Sequence, residues 1–282
     1  MGYYIFQTLA TTSIIDELIA VPWGKLAIIL FSIYLMLGVY AWLFADYILF
    51  PAPKNPSYTM DGDAFFLKSK TGNNIACKFW APQKPNGITI ISSHGNAEDI
   101  GKVESHLETI LKDGWSIITY DYPGYGHSSS KASEHGCYDA IDTVYQYLTE
   151  KKKITPHRIV VWGRSLGTGP SCYLAEKKQV GGLILETPFI SAFRTITGRS
   201  VLPWDRFRNL ERASNITCPS LVIHGKLDEI VPFKHGKQVF NALPKTKEFL
   251  EFEKAGHNDL AEVGGLKYYS TVINFLKNLS DD

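Results

Sequence analysis

An apolar run from Arg158 to Trp162 leads straight into Gly163-Arg164-Ser165-Leu166-Gly167, and a helical stretch follows from Leu166 to Lys178. A serine in such a strand–turn–helix is held in a strained backbone conformation, with its hydroxyl exposed above the sheet. The flanking glycines remove Cβ atoms for which the turn has no room, and Gly169 lets the helix approach the sheet. Ser165 is therefore the expected nucleophile. A serine hydroxyl needs a base, and the base needs an acid to orient it. After this kind of turn the chain order is serine, acid, histidine. Asp228 stands just past the run Ser220–Ile223, and His257 just past Glu248–Phe252. Both fall at the carboxyl edge of strands, where α/β sheets bind ligands. Glu186, which follows Gly182–Leu185, is the alternative acid. Glu229 reads as a solvated neighbour of Asp228.

The tetrahedral intermediate of acyl transfer needs preorganised N–H donors. The backbone N–H of Leu166 is one, and that of Asn96, in the loop Ser92-Ser93-His94-Gly95-Asn96-Ala97, is the expected second. His94 reads as a residue that holds this loop. The Gly-rich stretch Asp121–His127 reads as a rigid turn shaping the pocket, with His127 structural. No HExxH, paired CxxC or P-loop occurs, so metal, zinc and nucleotide mechanisms have no support and no cofactor is expected. Cys77, Cys137, Cys172 and Cys218 have no regular spacing and read as buried thiols.

The elements that must position these groups follow from the hydrophobic pattern. Strands are expected at Ala64–Lys68, Ile75–Trp80, Ile88–Ser92, Ser116–Tyr120, Arg158–Trp162, Gly182–Leu185, Ser220–Ile223 and Glu248–Phe252. Helices are expected at Ile100–Lys112, Tyr138–Lys152, Leu166–Lys178, Lys234–Ala242 and Leu266–Lys277. The first two strands form a hairpin, and the rest alternate with helices, which indicates a mostly parallel sheet covered on both faces. Residues 189–217 break the alternation and read as a short cap, with Phe189, Phe193, Leu202 and Trp204 expected to shape the substrate site.

Of 282 residues, 45% are hydrophobic, and 29 basic against 28 acidic residues give a net charge of +1. The charge balance excludes a generic nucleic-acid binder, and the apolar content excludes a disordered chain. Four cysteines exclude a disulfide framework. Residues 26–45 contain no charge and would span about 30 Å as a helix, the thickness of a bilayer's hydrocarbon core. Trp23, Tyr40, Trp42 and Tyr47 stand near its ends, as interfacial aromatics do. A single transmembrane helix is expected there, after an amino-terminal segment 1–25 whose first 20 residues could lie along the membrane surface. A cleaved signal peptide fits poorly, because Asp16 and Glu17 precede the run and no small-residue cleavage site follows. Phe6 leaves a Gly2 myristoylation pattern incomplete. Lys25 and Lys54 flank the run evenly, so charge does not orient it. Pro51, Pro53 and Pro56 mark its exit into a linker, 46–63, and the catalytic domain is expected over 64–282.

Together, SHGNAEDIG, DYPGYGHSS, GRSLGTGP, ETPF and HGKLDEIVPF resemble the α/β-hydrolase superfamily from Ala64 onward. Within it they resemble the membrane-associated serine hydrolases typified by α/β-hydrolase domain-containing proteins 13 and 17, with overlap onto serine aminopeptidase-type hydrolases. The resemblance implies an eight-stranded sheet, a triad at Ser165, Asp228 and His257, and oxyanion donors at Asn96 and Leu166. Proteins of type 17 resemble protein depalmitoylases and carry a lipid-attached cysteine cluster near the amino terminus. This chain has no cysteine before Cys77. Its anchor is closer to the type 13 arrangement, and depalmitoylation is not carried over.

The reading is a membrane-anchored serine hydrolase of an ester or thioester, with an acyl-lipid or acylated-protein substrate. It expects contact with the membrane through the amino-terminal helix, and neither nucleic acid nor metal as partner. The alternatives are a serine peptidase or amidase of the same fold, because the triad does not choose the leaving group, and a catalytically idle hydrolase-fold binding protein.

Overall fold

The structure, a computed structural model, describes residues 23–199, 202–244 and 246–280. The expectations for residues 1–20 lie outside the described residues. Two compact units divide the chain, residues 1–45 and 46–282. In the first, the described residues form most of helix α1, Trp23–Leu49, whose 27 residues extend about 40 Å. Its mean hydropathy reaches 2.2, so it is long and apolar enough to cross a membrane. Most of its large apolar side chains, from Trp23 to Phe44, are exposed.

The second unit holds an eight-stranded sheet in the order β1-β2-β4-β3-β5-β6-β7-β8. The strands are β1 Ala64–Lys68, β2 Asn74–Trp80, β3 Thr89–Ser93, β4 Ser116–Tyr120, β5 Ile159–Arg164, β6 Gly182–Glu186, β7 Ser220–Gly225 and β8 Lys247–Phe252. Strand β2 pairs antiparallel with β1 and β4, and every other pair is parallel. Helix α2, Ile100–Lys112, and α8, Leu260–Ser280, cover one face. There Val103, Leu107, Ile110, Val272 and Leu276 pack on Ile90, Ile117, Val160, Ile184 and Leu221. Successive strand residues point to opposite faces. Ile91, Ile118 and Val161, equally buried, face the side of α3, Glu134–Gln146, and α4, Thr168–Lys177. This burial on both faces is why the inner strands read as continuous apolar runs.

The remaining helices are α5, Ala192–Thr197, and α6, Asn209–Ala213, both between β6 and β7, and α7, Phe233–Ala242. Helix α3 begins four residues before its expected start, because the Ser133 hydroxyl caps it by accepting from the Gly136 N–H at 3.0 Å. Helix α8 is interrupted at Gly265, φ 47° and ψ −130°, so its second part begins at Leu266, where the periodicity places it. Residues 46–63 carry no strand, yet they are stapled to the sheet's loops. The Ser57 N–H donates to Asp99 at 2.6 Å, the Tyr58 hydroxyl donates to Asp121 at 2.5 Å, and the Tyr58 carbonyl lies 3.0 Å from His127 Nε2.

Candidate active site

Strand β5 ends at Arg164, and Ser165 follows at φ 50°, the left-handed region that a side chain occupies at a cost of about 1–3 kcal/mol. A single 3₁₀ turn, Ser165–Gly167, then leads into α4. Both motif glycines are required by contact. A Cβ on Gly163 would strike the Gly167 carbonyl and the Ser171 hydroxyl, and one on Gly167 would strike the Ser93 carbonyl. Gly169 has a different role from the expected helix–sheet approach, because a Cβ there would enter the Phe207 ring of the cap.

The loops after β7 and β8 bring the other two groups to this turn. Lys226 and Leu227 donate their N–H groups to the carbonyls of Phe252 and Ala255, at 2.9 and 3.0 Å. Gly225 permits this approach, since a Cβ there would meet the Ala255 carbonyl. As a result His257 Nε2 lies 2.9 Å from Ser165 Oγ, and His257 Nδ1 lies 2.8 Å from Asp228 Oδ2. The carboxylate is an acceptor, so Nδ1 carries the hydrogen and Nε2 is left to accept from the serine hydroxyl. Asp228 Oδ1 accepts the N–H groups of Ile230 and Val231 at 2.9 and 2.7 Å. Burial pushes the Asp228 carboxyl up, but the hydrogen bonds from His224 and His257, the charge of His257 and the Val231 N–H outweigh it. They hold the group well below the usual carboxylate range. It is therefore ionised at neutral pH, as a group orienting an imidazole must be.

Glu186, the alternative acid, is engaged elsewhere. Its carboxylate accepts the indole N–H of Trp162 at 3.2 Å. His94 and His127 are both loop holders. His94 Nδ1 is 2.8 Å from the Gly95 carbonyl, and the His127 ring meets the Tyr58 carbonyl. All four cysteines are buried free thiols.

Asn96, Ser165 and Leu166 line one cavity of about 180 Å³ together with Phe189, Ile230, Val231 and the α1-end residues Ile48 and Leu49. Of the four aromatic and aliphatic residues expected to shape the substrate site, Phe189 is on this wall. Phe193 packs edge-on against Trp204 within the cap, ring centres 5.0 Å apart, and Leu202 is half-buried. These three stand apart from the cavity wall.

Several residues at the site escaped the sequence reading. His224 Nε2 lies 3.2 Å from Asp228 Oδ2 and 2.9 Å from the Val231 carbonyl, so it carries a hydrogen toward both acceptors. Its position four residues before Asp228, at the end of an apolar strand, was the available signal. Arg164 and Glu98 form an ion pair that ties three loops together. Arg164 also donates to Asn258 Oδ1 at 2.9 Å, next to His257, and Glu98 accepts the Gly95 N–H at 2.7 Å, next to Asn96. Arg164 precedes Ser165 and Glu98 stands two residues after Asn96, but nothing in one sequence indicates that they pair.

A family model described as the alpha/beta hydrolase fold matches residues 88–199, and one described as the prolyl oligopeptidase family matches residues 193–282. Among solved structures, an esterase of Pyrococcus furiosus superposes with a TM-score of 0.69 at 16% identity, covering 82% of this chain and 99% of that one. An esterase of Exiguobacterium antarcticum gives 0.60 at 18% identity, covering 75% and 98%. Fold and match together define the class: this is an α/β-hydrolase. Alpha/beta hydrolase domain-containing protein 17B of Xenopus tropicalis is 36% identical over 205 residues, 72% of this chain and 71% of the relative. The human 17B protein is 35% identical over the same shares. The mouse 17C protein is 35% identical over 201 residues, 70% of this chain and 63% of its own. The chain belongs to this family of alpha/beta hydrolase domain-containing proteins.

Proposed function

We propose that the chain is a membrane-anchored serine hydrolase that cleaves esters or thioesters of acyl chains through an acyl-enzyme. The observation that carries this reading is the unbroken hydrogen-bond relay from Ser165 through His257 to Asp228 at the carboxyl edge of the sheet. In the first half-reaction Ser165 Oγ attacks the acyl carbonyl carbon while His257 Nε2 takes its proton. The backbone N–H groups of Asn96 and Leu166 hold the oxyanion, a contribution of about 10²–10³ in rate for one such donor elsewhere. His257 then protonates the departing alkoxide or thiolate, leaving the acyl group on Ser165. In the second half, water gives its proton to His257 and attacks the acyl carbon, and the acid leaves with the serine hydroxyl restored. Asp228 stabilises the imidazolium in both halves. The long apolar helix α1 and the apolar cavity beside Ser165 support anchoring in a membrane and an acyl-lipid or acylated-protein substrate.

The prolyl oligopeptidase match over residues 193–282 favours a second reading, amide cleavage by the same relay. Turnover of an ester, a thioester and an amide of one acyl group by the full chain tests both. The proposal expects ester and thioester turnover that disappears in Ser165→Ala. Amide cleavage at comparable efficiency supports the second reading. Ester turnover that persists in Ser165→Ala overturns both.

A further inference from the structure

We infer that the last turn of α1 is a wall of the catalytic site, with Ile48 and Leu49 setting the length of acyl chain the site accepts. This rests on the hydrolase reading above and assigns it a specificity element outside the motif-bearing loops. Residues from Asp46 onward belong to the catalytic unit. Leu49 and Phe50 are buried there, at 8% and 7% exposure, although they continue a helix whose large side chains are mostly exposed. Phe50 sets its ring edge-on to Tyr125 and Phe207, centres 6.5 and 6.0 Å away.

Leu49 is the final helical residue, so its carbonyl lacks an intrahelical partner and needs one from elsewhere. It accepts from Asn96 Nδ2 at 2.7 Å, while Asn96 Oδ1 accepts the Tyr125 hydroxyl at 2.6 Å. The amide side chain of Asn96 is thereby engaged at both ends, and the helix end is fixed to the residue whose backbone N–H is proposed to hold the oxyanion. With this link in place Ile48 and Leu49 line the same cavity as Ser165, Phe189 and Ile230. These four apolar side chains present hydrocarbon, the chemistry that recognises an alkyl chain. A side chain that enlarges the helix-end wall shortens the space available to that chain.

Reaction with alkyl fluorophosphonates reads this directly. The Ser165 Oγ–P bond forms, the P–F bond breaks, fluoride leaves and His257 takes the hydroxyl proton. The full chain in detergent micelles is compared using a short and a long alkyl probe. Ile48→Trp and Leu49→Trp are expected to lower the ratio of long-probe to short-probe rate by about tenfold or more, the scale at which a hydrophobic pocket discriminates chain length. Leu266→Trp, on an 89% exposed position of α8, is expected to leave the ratio unchanged. Ile48 is half exposed, so its variant keeps the test sound if Leu49→Trp unfolds. An unchanged ratio in Ile48→Trp with the short-probe rate intact overturns the wall. Failure of the wild-type chain to react with either probe overturns the hydrolase reading itself.

Discussion

At the scale of residues, Asp228 and Glu186 were the two candidate acids, and Asp228 is the one paired with the imidazole. Asp228→Asn is expected to lower kcat by about 10⁴, because the amide favours the wrong imidazole tautomer. Glu186→Gln, whose partner is the Trp162 indole, is expected to cost less than tenfold in the same steady-state assay, and the reverse ranking reassigns the acid. Chain order alone left both open, since the choice depends on how the β7 and β8 loops approach one another. A second consequence concerns His235, buried in α7 with neither ring nitrogen hydrogen-bonded. Burial first, then the charges of Lys234, His224 and Arg194, lower its pKa from 6.5 to about 4. The unfolded chain takes up this proton near pH 6.5 and the folded chain only near pH 4. The neutral ring's contribution is therefore complete above pH 6.5 and is lost as pH falls toward 4. Denaturant midpoints measured across that range should decline in the wild type and decline less in His235→Leu.

At the scale of elements, the cap is held to the nucleophile's own helix. Phe207, fully buried, meets Phe50, Tyr138 and Phe189 edge-on and fills the space that a Cβ on Gly169 would need. Gly169→Ala should destabilise by about 1–3 kcal/mol through overpacking, and Phe207→Leu by a similar amount through the cavity it leaves. The double variant should cost less than the sum, and additive losses in a double-mutant cycle by denaturant unfolding would show that the two sites do not share this contact. The strands were readable because burial on both faces makes them continuous apolar runs, and the GRSLG turn was readable because steric demand fixes its glycines. Helix starts were less readable where they depend on one capping hydroxyl, as at Ser133. The cavity wall was the least legible. Ile48 and Leu49 fell in the expected linker 46–63, and nothing in one sequence indicates the hydrogen bond from Asn96 to the Leu49 carbonyl, or the packing of Phe50 on Tyr125 and Phe207, that holds them at the site. Phe193 and Trp204 were drawn toward the pocket by composition, whereas they satisfy one another inside the cap.

At the scale of the whole molecule, a long apolar helix precedes the unit that carries the sheet, and the proposed function makes that helix a membrane anchor. The full chain is expected to sediment with membranes and to stay there through carbonate and high-salt washes, because insertion of such a helix is effectively irreversible. Release by salt alone would mean that α1 binds a surface rather than spanning. Removing residues 1–51 would take Leu49 and Phe50 with the anchor, so loss of activity in that truncation would reflect the site as well as the tether. The proposed activation of Ser165 as a nucleophile is checked by locating a covalent adduct. The full chain is treated with an alkyl fluorophosphonate, digested, and its peptides sequenced by mass spectrometry. A single stoichiometric adduct is expected on Ser165, abolished in Ser165→Ala and slowed by orders of magnitude in His257→Ala. An adduct on another residue, or undiminished labelling of folded Ser165→Ala, would contradict it.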